Sequence, residues 1–360
     1  MLGQIYTKIT NIFPSFISER LQYHGFKRYF KNAGWTFFTR VINMVISFFV
    51  MAVVGRYLGP TNYGLLGYAL SFVGLFSFIA GLGLDLVLYR DLIKYPEKEA
   101  RIIGTALALR LVAGFVAAAI TVGVTLSLPE EPIVHGLIVI LSITYLFQAF
   151  GVLNYPFQAR VQSKFPSIIT IIAVIILSAL KLAVVYWSKG VYFLAAIYAF
   201  EPILYGLLLT GFYQRLYGSV FKWSFNKEIA SEMLREAFPL MLSSVFVIIY
   251  SRIDQVMIKH MIDVTAVGLY DAAVRLSEVW YFLPGVIVGS FLPSIINAQK
   301  TDEAIFSRRV LGLTAILISA SVFVGLVVTI LSKYIITTVY GAEFIDGHTA
   351  LQLYVWSGVG

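Results

Sequence analysis

Apolar residues run along this chain in blocks of about twenty, broken by short polar connections. Twenty residues of helix, at 1.5 Å each, match the hydrocarbon thickness of a bilayer. The blocks are uninterrupted, which separates them from the ten-residue alternating segments of a membrane barrel. Nine spans can be drawn, at 33–54, 64–84, 102–127, 133–155, 165–187, 191–213, 237–258, 265–295 and 310–338. A tenth begins near 348 and meets the last residue, Gly360. The eighth is long enough to be tilted or broken, and Pro284 and Pro293 lie inside it.

Composition gives the same picture. The chain is 59% hydrophobic and 13% charged, with a mean hydropathy of +0.83, where soluble domains carry roughly 25% charged residues. A soluble fold of this length buries only about three quarters of its surface and could not hide so much apolar area. A bilayer removes the difficulty and admits only helices or closed barrels. The expected fold class is therefore an all-α polytopic membrane protein. Ahead of the first span, Phe13, Phe16, Ile17, Leu21 and Phe26 alternate with Arg20, Lys27, Arg28 and Lys31. This pattern predicts a cytoplasmic amphipathic segment over 1–32 rather than a signal peptide.

The net charge of +8 does not point to nucleic acid, because the basic residues fall in alternate connections rather than along one face. With the N-terminus in the cytoplasm, 18 Lys/Arg lie in cytoplasmic segments. Only four, Arg56, Lys189, Lys259 and Lys333, lie outside. That asymmetry predicts an N-inside topology. Five basic residues remain within spans: Arg40, Arg110, Lys181, Arg252 and Arg275. There are no cysteines and four scattered histidines, too few ligands for a zinc site. No phosphate-binding glycine loop and no HExxH motif occurs. No connection is long enough to hold a soluble catalytic domain. The expectation is a non-enzyme with no cofactor and no metal, driven by a substrate gradient, an ion gradient or the membrane potential.

An internal repeat organises the spans. Tyr63-Gly64-Leu65-Leu66-Gly67-Tyr68-Ala69-Leu70 resembles Val267-Gly268-Leu269-Tyr270-Asp271-Ala272-Ala273-Val274, with the Gly-Leu pairs 204 residues apart. Six spans separate the copies, an even number, so the halves run in the same direction. Two parallel six-helix bundles follow, related by an axis along the membrane normal. Their bounds are expected at 33–222 and 223–360, the second bundle incomplete and the chain truncated.

A charge at the centre of a span costs about 2.5–3.5 kcal/mol on insertion scales and calls for a reason. In span 8, Asp271, Arg275 and Glu278 share one helical face, continued by Phe282, Gly285 and Gly289. Two readings stand: a hydrated cavity where Arg275 meets an anion and a carboxylate takes part in coupling, or an ion triad paired internally. In span 1, Thr36, Arg40, Asn43 and Ser47 form a second stripe. Snorkelling of Arg40 to the headgroups would leave Asn43 and Ser47 unexplained, so this stripe is expected to face a cavity. In span 7, Ser243, Tyr250 and Asp254 lie on one face, with Arg252 about 200° from Asp254; Asp254 is preferred for the cavity. Arg110 and Lys181 are assigned structural roles. Glu201 precedes Pro202, whose ring kinks the helix, and reads either as an ion site or as a partner of Lys181 or Arg110.

The turn Arg56-Tyr57-Leu58-Gly59-Pro60-Thr61-Asn62-Tyr63-Gly64 resembles the R-Y-L-G-P-x-x-Y-G turn of polysaccharide-biosynthesis flippases. These share a superfamily with the multidrug and toxin extrusion (MATE) carriers. Ser251-Arg252-Ile253-Asp254-Gln255-Val256-Met257-Ile258, continuing through Gly268-Leu269-Tyr270 to Arg275-Leu276-Ser277-Glu278, is similar to the same family. With the span pattern, the resemblance covers nearly the whole chain. It implies a two-bundle, MATE-like fold and alternating access about a midplane site. It also implies, as substrate, an oligosaccharide linked to a polyprenyl diphosphate. This would pass from the cytoplasmic to the external leaflet of the plasma membrane, the lipid tail staying among membrane lipids. Arg40, Asn43, Arg252 and Arg275 are then the substrate-binding candidates, since Arg suits bidentate phosphate contacts. Asp254, Asp271, Glu278 and Glu201 are the candidates for H⁺ or Na⁺ coupling, and glycan-assembly enzymes are candidate partners. The rival readings are a cation-coupled drug exporter of the same fold, which three Arg candidates disfavour, and a non-transporting scaffold of a glycan-assembly complex. A membrane-embedded glycan polymerase is disfavoured by the short external connections.

Overall fold

The computed structural model describes residues 24–301 and 303–359; the amphipathic segment expected over 1–32 lies largely outside them. The described residues are helical, without strands. The first helix, α1 (His24–Leu75), is broken internally at Gly59, whose φ of 66° and ψ of 171° leave the helical region. Glycine reaches this conformation without a Cβ penalty, and Pro60 starts the second arm with φ already set. The polar turn expected between the first two spans is thus reduced to one residue.

The order continues with α2 (Ser77–Gly81), α3 (Asp85–Lys94), α4 (Glu99–Ser127), α5 (Pro132–Ser142), α6 (Thr144–Gln148), α7 (Asn154–Ala159), α8 (Lys164–Tyr186) and α9 (Val191–Tyr217). Then follow α10 (Lys227–Met261), α11 (Val264–Glu278), α12 (Phe282–Thr301), α13 (Glu303–Tyr340) and α14 (His348–Tyr354). Among the described residues, seven helical stretches are long and apolar enough to cross a membrane, the first holding both arms of α1. The eighth expected span is two helices, α11 and α12, parted at 279–281. Pro284 falls in the first turn of α12, where a missing N–H leaves no helical bond unmade.

The chain packs as two compact units. Of the described residues, those up to 47 and 72–252 form one, and those of 48–71 and from 253 onward form the other. Sequence repeat and packing thus divide the chain at different places, since α1 and α10 each run from one unit into the other.

The core of the first unit gathers Leu84 just ahead of α3, Leu88 from α3, Ile103 and Ala106 from α4, Phe157 from α7, Ile169 from α8, Leu209 from α9 and Ala237 from α10, all fully buried. Several charges in this unit are paired. Buried Arg110 meets Asp85, which also accepts from the Tyr155 hydroxyl. Glu99 takes Arg160 and the Tyr213 hydroxyl, the latter at 2.8 Å. Arg90 meets both Asp91 and Glu236, and these two carboxylates, Asp91 foremost, hold its guanidinium more firmly protonated.

In the second unit the arm after Pro60 packs against α11 in the register of the sequence repeat. Thr61 Oγ1 lies 3.0 Å from Thr265 Oγ1, at an offset of 204 residues. A Cβ built on Gly64 would stand 1.9 Å from the Val264 carbonyl oxygen, and one on Gly268 would stand 2.0 Å from that of Pro60. The contact is reciprocal and excludes any side chain at either glycine. Arg56 closes the same end. Its Nε donates to the Val339 carbonyl at 2.8 Å, and Nη2 donates to that of Thr338. These carbonyls belong to the last turn of α13, which lacks helical donors of its own.

Candidate functional site

In the first unit a cavity of about 450 Å³ opens between the first arm of α1 and residues of α3, α7, α8 and α9. The α1 arm lines it with Asn32, Thr36, Thr39, Arg40 and Asn43; Tyr89, Asn154, Gln158, Ser163, Ser167, Thr170 and Tyr205 supply most of the rest. Two of the predicted substrate-binding residues, Arg40 and Asn43, therefore share one hollow. Thr36, Arg40 and Asn43 reach it together because their 4-3 spacing places them on one helical face.

Part of this lining is committed. Asn32 Nδ2 donates to Ser163 Oγ at 2.8 Å while its Oδ1 accepts from the Ser163 backbone N–H at 2.6 Å. Ser47 Oγ donates to Asn43 Oδ1 at 3.0 Å, and Thr170 Oγ1 donates to the Pro166 carbonyl at 2.9 Å. The Arg40 guanidinium is exposed and has no ion pair or hydrogen bond among the described residues. Among the described residues, Thr39 Oγ1 and Asn154 Oδ1 are shielded and have no hydrogen-bond partner. No Asp or Glu is among the described residues that line the cavity. Its described wall is polar, with Arg40 as its one charge.

The second unit holds a buried polar ladder. Ser71 Oγ donates to Gln255 Oε1, and Gln255 Nε2 donates to Asp271 Oδ1 at 3.0 Å. Arg275 Nε donates to Asp271 Oδ2 at 2.6 Å, and Nη1 lies 3.7 Å from Met51 Sδ. Both Asp271 oxygens are thus taken, and its side chain is 3% exposed. Of the two readings of the span 8 stripe, pairing describes Asp271 and Arg275, whereas Glu278 is exposed. Asp254, preferred for a cavity, accepts from the Tyr270 hydroxyl and from the Gln255 backbone N–H at 2.8 Å.

The remaining candidates lie apart from these clusters. Arg252, exposed at the end of the first unit's share of α10, lies along Gly74 and is not in the cavity lining. Lys181 Nζ sits 3.9 Å from the centroid of the Tyr198 ring. Glu201 is exposed and pairs with neither Lys181 nor Arg110, whose partners are Tyr198 and Asp85. Asn32, Thr39, Asn154, Gln158 and Tyr205 were not singled out from the sequence. Asn154 and Gln158, four residues apart at the end of an apolar span, were a readable signal.

The fold is that of known transporters. An inward-facing multidrug resistance MATE family transporter of the MOP superfamily matches with a TM-score of 0.61 at 15% identity, covering 87% of this chain and 78% of that one. A eukaryotic MATE transporter matches with a TM-score of 0.54 at 13% identity, covering 92% and 80%. The outward-facing form of a multidrug resistance MATE family transporter gives 0.53 at 15%, covering 89% and 78%. At these identities the likeness concerns the fold, a multi-pass MATE-like helical membrane architecture. No curated protein matches the sequence. The model of the polysaccharide biosynthesis protein family matches residues 29–299, and the chain belongs to that family.

Proposed function

We propose that this protein is a flippase that carries polyprenyl-diphosphate-linked oligosaccharide from the cytoplasmic to the external leaflet of the plasma membrane, by alternating access and with its N-terminus in the cytoplasm. The observation that carries the reading is Arg40. Among the described residues it is a guanidinium with no counter-ion, in a cavity that they line with amides and hydroxyls and with no carboxylate. An anionic headgroup supplies the missing charge, and sugar hydroxyls suit the neutral polar wall. A cationic drug would meet the same Arg40 with nothing to offset repulsion. Arg275 would serve the diphosphate only by exchanging Asp271 for it. Such an exchange makes Asp271 the first candidate for ion coupling, ahead of Asp254, Glu278 and Glu201. Arg252 stays a candidate contact for the headgroup.

The test is export of a fluorescent polyprenyl-diphosphate glycan by the full chain in liposomes, read as protection of the label from an added quencher. Arg40→Gln keeps a polar side chain and removes the charge. A charge-assisted hydrogen bond contributes about 1.5–3 kcal/mol, so the concentration giving half-maximal export should rise about ten- to a hundredfold. Undiminished export by Arg40→Gln, or efflux of a cationic dye by the unaltered chain, would sink the reading.

A further inference from the structure

We infer that the turn joining α3 to α4 is a docking surface for an anionic phospholipid. Its phosphate sits between Lys94 and Lys98 beside the ring of Tyr95, and an acyl chain lies along α3. The inference makes no use of the carrier reading, so either can fail without the other. Charge imbalance is the first support. Residues 90–101 hold four cations and three carboxylates. Two of the carboxylates are engaged: Asp91 takes Arg90, which Glu236 also holds, and Glu99 takes Arg160 and the Tyr213 hydroxyl. Only Glu97 is left to balance Lys94, Lys98 and Arg101, all of them exposed. This stretch therefore carries a surplus of positive charge that an anion can meet. Geometry is the second support. Lys94 Nζ lies 4.9 Å and Lys98 Nζ 4.8 Å from the centroid of the Tyr95 ring, and Tyr95 packs against the core of the unit. The ring attracts each ammonium, but it also holds the two within about 10 Å of each other, where like charges in physiological salt still repel. A phosphate diester touching both relieves that repulsion. The spacing is built into the backbone: α3 ends at Lys94, Tyr95 leaves the helical region with φ −129° and ψ 62°, and Pro96 fixes the turn that brings Lys98 round. The third support separates a lipid from a soluble anion. Val87, Leu88 and Leu92 bury the inner face of α3, whereas Leu86 and Ile93, two turns apart on one outer face, are 65% and 53% exposed. An apolar stripe that ends beside basic side chains matches an acyl chain below its headgroup.

The probe is dioleoyl phosphatidylglycerol, set against dioleoyl phosphatidylcholine, each added in steps to the full chain purified in a mild detergent. Native mass spectrometry counts the lipid molecules that stay bound. The unaltered chain should retain the anionic lipid at about a tenth of the concentration that the zwitterionic one needs. Lys94→Gln with Lys98→Gln should weaken retention of the anionic lipid about tenfold or more and erase the preference. Lys222→Gln with Lys227→Gln removes the same charge from exposed positions elsewhere in this unit and should leave retention unchanged. All four lysines are exposed, and equal thermal unfolding midpoints of the two variants will show that neither change disturbs the fold. An equal loss in both variants means that diffuse charge alone attracts the lipid, and overturns the site. Phosphatidylcholine retained as well as phosphatidylglycerol overturns it too. So does glycerol phosphate that displaces the lipid at equal concentration, since the turn then holds a soluble anion and the stripe on α3 plays no part.

Discussion

Valine at position 64 should leave almost no folded protein. A side chain there begins 1.9 Å from the Val264 carbonyl oxygen, a backbone atom that moves only if α11 moves. Overpacking a tight core costs about 1–3 kcal/mol where side chains can adjust. Here they cannot, and the expected loss exceeds about 3 kcal/mol, a large part of a typical total of 5–15 kcal/mol. The reciprocal contact makes the prediction double: Gly268→Val meets the Pro60 carbonyl at 2.0 Å and should fail to the same degree. Gly123 meets nothing within 4 Å, so Gly123→Val should behave as the unaltered chain apart from a small helix-propensity effect. Thermal unfolding of the detergent-solubilised protein, followed by size-exclusion fluorescence, ranks the three. Monodisperse Gly64→Val protein with an unchanged midpoint would refute the packing described between the arm after Pro60 and α11.

Arg275→Ala is the second large effect. The change strands Asp271, whose side chain is 3% exposed and whose other oxygen is held by Gln255. Removing one partner of a buried ion pair costs about 3–5 kcal/mol because the remaining charge is uncompensated. Neutralising the second partner should undo much of that loss. The double variant Asp271→Asn, Arg275→Ala is therefore expected to be more stable than Arg275→Ala alone, although it carries more substitutions. Denaturation midpoints of the two single variants and the double one give the coupling directly. An additive result would mean that the pair contributes nothing to the folded state. The same cycle decides how a transport defect in Arg275→Ala should be read. Loss of export in the single variant confounds binding with stability, whereas loss in the restabilised double variant implicates the guanidinium.

Much of this was legible in the sequence. Uninterrupted apolar blocks gave the helices because a bilayer leaves them no alternative. The offset of 204 read from Gly64-Leu65 and Gly268-Leu269 is the offset at which Thr61 and Thr265 touch, although the repeat by itself names no contact between its copies. The i,i+4 spacing of Asp271 and Arg275, a local property, put pairing on the page as one of two open readings. What escaped reading was non-local. Asp254 looked available on its own helix, but its partner Tyr270 is sixteen residues away on α11, and no periodicity names a partner on another helix. The cavity around Arg40 draws on Asn154, Gln158 and Tyr205. Asn154 and Gln158 were readable by their spacing, but Tyr205 sits in a span so uniformly apolar that no helical face stands out as polar, and nothing in the sequence brings the three together with Arg40. The break at Gly59 and the interruption at 279–281 depend on backbone dihedrals and packing, which hydropathy does not register.

The discontinuity of the second unit has a cost during synthesis. Residues 48–71 belong with 253–360, and the intervening chain must be made first. At about 5–20 residues per second the arm carrying Gly64 waits roughly ten to forty seconds before its partner helix leaves the ribosome. Until then its glycine face, bare of side chains, stands open to lipid, to other nascent helices and to the insertion machinery. Ribosome stalling between codons 72 and 252 would hold the arm in that half-dressed state, and degradation of stalled chains should rise with the length of the pause.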